Sequence, residues 1–228
     1  MKIQPVLIAF NSYGWIQRAI RSFFRYYPDQ HLLVVDNNPP SEDMPGMWSY
    51  PKFKFKSRKE RDWLDSQNNI TVIEHPKKNI YALKHGDGLD LARKWCLENG
   101  ADAMFHFEPD CLFRDNMLLE HVSQKLEKGY WLVGVDRMRV NDRSIWTAGS
   151  TWLLDCPIKD ISFLPVIRKT LDELAVLPSH WTGWWDTGQK ICFECWRNNK
   201  SVVVENENRG FYHCFRGSIK EAPSIFML

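Results

Sequence analysis

Val6-Leu7-Ile8-Ala9-Phe10-Asn11-Ser12 is the stretch that decides the fold. Residues 6–10 are all apolar, and the run then gives way at once to a polar pair. A strand covered on one face alternates apolar and polar residues. A strand covered on both faces has no polar side to show and reads as an unbroken apolar run. The polar pair marks where the chain leaves the core. In open sheets of parallel strands, that carboxyl end is where ligands sit.

Working outward, Trp15, Ile16, Ala19, Ile20, Phe23, Phe24 and Tyr27 recur at helical spacing, and Pro28-Asp29 stops the helix. Residues 32–35 form a second apolar run, ending at Asp36-Asn37-Asn38. Strand, helix and strand in this order make a crossover unit, which is right-handed in nearly all proteins. Residues 70–73 predict a third strand, and residues 83–96 a helix that stops at Asn99-Gly100. Residues 103–107 predict a fourth strand, followed directly by Glu108-Pro109-Asp110. A helix over 117–126 closes at Gly129, and strands are predicted over 130–135 and 145–154. Beyond these, the spacing predicts a helix over 165–177, another ending near Asn199, and a last strand over 202–204.

Strands and helices alternate through the first 136 residues. The expected architecture is an α/β sandwich, a Rossmann-like, mostly parallel central sheet flanked by helices, with a smaller mixed region in the second half. Residues 39–69 break the pattern. Pro39, Pro40, Pro45, Gly46 and Pro51 mark irregular chain, and Lys52, Lys54, Lys56, Arg58, Lys59 and Arg61 form a basic run. That run reads as a solvated loop or helix face, or as a flap near an anionic ligand.

The composition narrows the classes of function. Of 228 residues, 44% are hydrophobic and 25% charged, which is globular rather than disordered. A net charge of +2 does not point to nucleic acid. Pro5 and Asn11 cut the first apolar run too short for a signal peptide, and no stretch reaches the ~20 apolar residues of a membrane span. Six cysteines are scattered, with only Cys192 and Cys195 spaced as a pair, so they read as reduced thiols in a cytoplasmic setting. The unusual count is 11 Trp. Each ring needs packing and a partner for its N–H, so some are expected to line a site.

The polar residues at strand ends are the first candidates for chemistry. Asn11 follows the first strand, Asp36 and Asn37 the second, Glu108 and Asp110 the fourth. Together they can grip a base and a ribose, although a single such residue often only caps a helix. Glu108 and Asp110 can reach one hard cation, and Mg²⁺ and Mn²⁺ prefer such oxygen ligands. The same pair also reads as an acidic turn capping the next helix. His213 lies in Tyr212-His213-Cys214-Phe215-Arg216-Gly217-Ser218. It reads as a core histidine, or as a metal ligand beside an Arg216 that binds phosphate. In Trp181-Thr182-Gly183-Trp184-Trp185-Asp186-Thr187-Gly188, three indoles surround one carboxylate. Aromatic faces suit sugar rings, and an Asp beside an apolar wall can serve as a base. The alternative is an N-cap Asp beside a Trp-rich core.

In this order, these blocks resemble the family 2-type glycosyltransferases with the fold called GT-A. The resemblance runs from Pro5 to about Ser218. Residues 6–12 match the strand that cradles the base, Val34-Val35-Asp36-Asn37 the second strand, and Asn79 with residues 85–92 the helix under the donor. Glu108-Pro109-Asp110 stands in the place of the metal motif, Trp185-Asp186 in that of the catalytic acid, and His213 where a C-terminal His completes the metal site. The resemblance implies a single domain over residues 1–228. Residues 1–110 would bind a nucleotide-sugar, UDP-linked by preference, and residues 111–228 would carry the acceptor and catalytic half. Phe10, Asn11, Asp36, Asn37, Lys84, His85, Asp87 and Arg216 are the donor-binding residues it implies. Glu108, Asp110 and His213 would hold Mn²⁺ or Mg²⁺, and Trp181, Trp184 and Trp185 would contact sugar. Asp186 would take the proton from an acceptor hydroxyl, on a glycan or another molecule, in a single inverting displacement. Two departures stand out: the metal motif opens with Glu instead of Asp, and the usual paired acids are here Trp-Asp. The competing readings are a retaining transferase or nucleotidyltransferase on the same sheet, and a carbohydrate- or nucleotide-binding module without turnover.

Overall fold

The first strand starts earlier than its apolar run. In the computed structural model β1 spans Ile3–Ala9, and every residue from Gln4 onward is buried. Pro5 is tolerated because at that level β1 pairs only with β4 (Ala103–Phe107), opposite Phe105; the ladder to β2 (Leu32–Asp36) starts at Val6↔Leu33. The amide of Gln4 fills the gap in that ladder. Its Nε2 donates to the carbonyls of Pro5 and His31, each at 2.9 Å, which satisfies a buried polar group.

The structure describes residues 1–9, 13–37, 58–75, 85–109, 111–135, 166–168, 202–205 and 211–213. After β1 come α1 (Tyr13–Tyr26), β2, α2 (Arg58–Asp65), β3 (Ile70–Glu74), α3 (His85–Glu98) and β4. Then follow β5 (Cys111–Phe113), α4 (Leu118–Glu127), β6 (Leu132–Val135), β7 (Val166–Arg168), β8 (Val202–Glu205) and β9 (Phe211–His213). The main sheet has the order β3-β2-β1-β4-β7-β6-β8, and β5 pairs with β9 in a second, two-stranded sheet. Only β7 runs against its neighbours in the main sheet; β3-β2-β1-β4 are mutually parallel, and β6 is parallel to β8.

Side-chain alternation divides the core into two layers. Leu7 and Ala9 of β1, Leu32 and Val34 of β2, and Phe105 and Phe107 of β4 face Ile16, Ala19, Ile20 and Phe23 of α1 and Leu118, Val122 and Leu126 of α4. Val6, Ile8, Leu33, Val35 and Met104 face the other way, onto Leu89, Ala92 and Cys96 of α3. The sheet is therefore covered on both sides, which is why its strands read as continuous apolar runs. Helices α3 and α4 stop as expected. Gly100 (φ 70°) and Gly129 (φ 99°) adopt the left-handed conformation, with the next N–H reaching back to Cys96 O at 2.9 Å and Lys125 O at 3.4 Å.

Three elements differ from expectation. α2 lies in the basic stretch, where of its eight residues only Trp63 and Leu64 are apolar. Leu64 is fully buried against the α1 layer, and that one anchor with Trp63 supplies what periodicity did not show. The helix expected over 165–177 is corrected at its start, because Val166–Arg168 is strand β7. There the β-branched pair Val166-Ile167 closes the ladder between β4 and β6, a tertiary demand that overrides the helical spacing. β5 and β9 are three residues each, too short to carry a period. The strand expected over 145–154 and the helix ending near Asn199 lie outside the described residues.

Candidate functional site

The carboxyl ends of β1, β2 and β3 finish level with one another, with Ala9 beside Asp36 and Asp36 beside Glu74. The turn leaving β2 is fixed from both sides: Asn37 N donates to Ala9 O at 2.8 Å, and His75 N to Asp36 O at 3.0 Å. Asp36 and Asn37 are each only 2% exposed. Taking an acid and an amide out of water is costly without compensating contacts, so their burial together at a strand end marks a specific polar environment.

Helix α3 closes on this point. A Cβ placed on Gly88 would lie 2.9 Å from Ile8 Cγ2 and 3.5 Å from the Asn37 side chain. The first turn of α3, which holds His85, Asp87 and Gly88, therefore lies against the ends of β1 and β2. Its backbone amides carry the partial positive charge of a helix N-terminus to Asn37, an environment that favours anions. Asp90, one turn further, is engaged within the helix by Arg93 at 2.8 Å and Lys94 at 3.3 Å.

On the other flank, β4 delivers Glu108. His106 on β4 is fully buried opposite Val6, on the α3 side of the sheet shared by Met104. Glu108 is half-buried and Pro109 buried. Cys111 N donates to Glu108 O at 3.0 Å, closing a four-residue turn with Pro109 at its second position, where its fixed φ suits the reversal. The chain then runs directly into β5, whose partner is β9, with Cys111 opposite His213. Directly paired residues of an antiparallel ladder have Cα atoms roughly 4.5–5.5 Å apart. The backbone of His213 is thus held one residue beyond Asp110 in register and beside the acidic turn, although it is distant in sequence.

Carboxylate oxygens suit Mn²⁺ or Mg²⁺, and the turn and ladder bring the backbones of Glu108 and His213 to one place. Among the described residues, no group of three or more His, Cys, Asp or Glu could hold a metal ion. Asp110 lies outside the described residues, as does the side chain of His213. Phe10, Asn11, Lys84, Trp181, Trp184, Trp185, Asp186 and Arg216 also lie outside them, and His85 and Asp87 are placed by backbone alone. Of the sequence candidates, Asp36, Asn37, Glu108 and the backbones of His85, Asp87 and His213 are located, all at the carboxyl end of the sheet. His106 and Gly88 were not among the sequence candidates. The signal for His106 was a lone polar residue inside an apolar strand; Gly88 gave none, because its contact joins segments far apart in sequence.

No family model matches the chain, and no curated protein matches it. Solved structures do. Glucosyl-3-phosphoglycerate synthase from Mycobacterium tuberculosis, in complex with Mn²⁺, UDP and phosphoglyceric acid, superposes with a TM-score of 0.61 at 15% identity, covering 97% of this chain and 72% of that one. S. aureus TarS 1-349 gives 0.59 at 12% identity, covering 96% of this chain and 62% of that one, and is also known in complex with UDP-GlcNAc. The mannosyltransferase PcManGT from Pyrobaculum calidifontis, in complex with GDP-Man and Mn²⁺, gives 0.59 at 12% identity, covering 95% of this chain and 60% of that one. The chain thus spans about 60% of the length of the latter two. These likenesses show the fold: the parallel β3-β2-β1-β4 sheet flanked by helices is that of the GT-A glycosyltransferases.

Proposed function

We propose that the chain is a glycosyltransferase that moves a sugar from a nucleoside-diphosphate sugar, UDP-linked by preference, onto the hydroxyl of a glycan or another acceptor. The observation that carries this reading is the β5–β9 register, which sets His213 opposite Cys111, beside Glu108-Pro109-Asp110 and at the ligand end of the sheet. A parallel sheet alone serves many chemistries. An acidic turn beside the backbone of His213, at the same end of the sheet as a buried Asp36-Asn37 pair, fits a cation-bridged nucleoside diphosphate much more narrowly.

The roles come from the family resemblance; for Asp36, Asn37, Glu108 and the backbones of His85, Asp87 and His213, position at the carboxyl end of the sheet supports them. Asp36 and Asn37, with Phe10 and Asn11 at the end of β1, hold the base and ribose. The first turn of α3, which holds His85 and Asp87, lies alongside, and Lys84, next to it in sequence, is assigned to the same donor by the resemblance. Glu108, Asp110 and His213 would hold Mn²⁺ or Mg²⁺, which would supply charge neutralisation for the departing diphosphate. Arg216 pairs with the same phosphates. Trp181, Trp184 and Trp185 present flat faces to sugar rings, and Asp186 accepts the acceptor proton as its oxygen attacks the anomeric carbon. The C–O bond to the diphosphate breaks as the new glycosidic bond forms, with inversion.

The test is release of UDP from a panel of UDP-sugars, with Mn²⁺ and with excess EDTA. Asp110→Asn is expected to remove most turnover and most Mn²⁺-linked UDP binding while the fold survives. Full activity in EDTA would refute metal dependence. UDP-sugar binding without product, unchanged in the variant, would favour a binding module instead.

A further inference from the structure

The acidic turn is coupled to the body of the molecule through a side chain that lies on α1, away from every residue assigned above. Ser22 Oγ accepts a hydrogen bond from Phe113 N at 3.2 Å and donates to the carbonyl of Ala19 at 2.8 Å. Donation to Ala19 turns the hydroxyl lone pairs toward β5. β5 is a three-residue strand whose only ladder partner among the described residues is the three-residue β9, and a two-stranded ribbon of that size is not stable alone. Its position is therefore set by α1. The Phe113 ring meets Phe107 at 4.9 Å, Phe23 at 5.3 Å and Tyr27 at 5.8 Å between centroids. Those T-shaped ring contacts set the packing of the Phe113 side chain. The bond to Ser22 is directional, and it fixes one backbone amide of β5 at a point three residues after Asp110.

We propose that Ser22 is a positioning residue for the cation site: through Phe113 it sets β5, the strand into which Glu108-Pro109-Asp110 leads, beside His213, and metal affinity depends on it. The proposal rests on the reading of Glu108, Asp110 and His213 as cation ligands. It adds a residue that touches neither metal nor substrate.

The probes are Mn²⁺ and UDP. Mn²⁺ affinity is measured from the loss of the free-ion electron paramagnetic resonance signal, with UDP present, for the native chain, Ser22→Ala, Ser22→Cys, Ser22→Thr and Asp110→Asn. Amide exchange over residues 108–113 and the unfolding midpoint are recorded for each. Loss of one hydrogen bond predicts Mn²⁺ affinity about three- to tenfold weaker in Ser22→Ala, with faster exchange in that segment. Ser22→Cys, which keeps the volume with a weaker acceptor, shifts the same way by less. Ser22→Thr, which restores the hydroxyl, stays within about twofold of native. A lower midpoint with unchanged Mn²⁺ affinity in Ser22→Ala, while Asp110→Asn loses the metal, overturns the role of Ser22 alone. Native Mn²⁺ affinity in Asp110→Asn overturns the metal reading, and the proposal with it.

Discussion

The two ends of the sheet treat their polar residues in opposite ways. At the amino end they are exposed and used as fasteners. Lys2 N bonds Asp102 Oδ2 at 2.7 Å, Lys2 Nζ bonds Asn99 O at 2.8 Å, Asn69 Nδ2 bonds Pro28 O at 3.1 Å, and His31 Nε2 meets Thr71 Oγ1 at 3.0 Å while stacking on Trp95. At the carboxyl end Asp36 and Asn37 are buried, although Glu74 beside Asp36 is exposed. Of the four buried polar or charged residues among those described, Asp36 and Asn37 lie there, His106 sits mid-sheet opposite Val6, and Gln4 lies at the other end. Exposed fasteners cost little to solvate and contribute little each. Buried acids and amides carry a desolvation cost that a stable fold does not itself require. On the proposed function, the cost at Asp36 and Asn37 falls at the end where a nucleotide must be recognised.

The contrast predicts that substitutions at the carboxyl end change turnover and those at the amino end change stability. The largest expected effect is at Asp186. Asp186→Asn keeps the side-chain shape but cannot take the proton, so transfer should fall by about 10²–10⁴-fold with donor affinity nearly unchanged. A near-native rate would place the base elsewhere. Gly88→Ala comes next. Its Cβ would enter 2.9 Å from Ile8 Cγ2, so about 1–3 kcal/mol of stability is expected to be lost, together with UDP affinity as α3 lifts from Asn37. Adding Ile8→Ala should return part of the UDP affinity, measured by calorimetric titration. If the single variant binds UDP as the native chain does, α3 does not border the site.

At the amino end the effects are smaller. Partial desolvation lowers the His31 pKa from 6.5, and the nearby Lys2 ammonium lowers it further. The folded chain thus takes up this proton less readily than the unfolded chain. The stabilisation is fully present above about pH 6.5 and is lost as pH falls through the lowered value. His31→Asn should flatten that acid slope in the unfolding midpoint and leave UDP binding alone; an unchanged slope would discount His31. The smallest effect concerns Cys96, whose thiol burial pushes up to about 12 against the opposing influence of Lys2. It should stay unmodified by a thiol reagent at neutral pH in the folded chain, and peptide mapping would reveal any early labelling.

What could be read in advance follows from how local each signal is. The runs that became β1, β2 and β4 and the stops at Gly100 and Gly129 depend on neighbouring residues, so they were legible. Asp36, Asn37 and Glu108 were legible for the same reason, since each stands where an apolar run ends. Helix α2 was hidden because charge outweighs its single buried anchor, Leu64. β7 was mistaken for helix because its strand character comes from β4 and β6 on either side. The bond from Phe113 to Ser22 and the approach of Gly88 to Asn37 had no sequence signature at all, since each joins segments far apart along the chain.

The placement of β7 also bears on the order in which the chain can fold. β3-β2-β1-β4 is built from residues before 108, with crossovers between consecutive parallel strands, so that half can assemble while the rest is still being synthesised. The outer edge of β4 receives no ladder until Val166–Arg168 has emerged and wedged in antiparallel, and β6, made earlier, reaches the sheet only through it. Until then β4 offers an unpaired row of amides and carbonyls, the edge most open to mispairing with another nascent chain. Three residues late in the chain decide when that exposure ends.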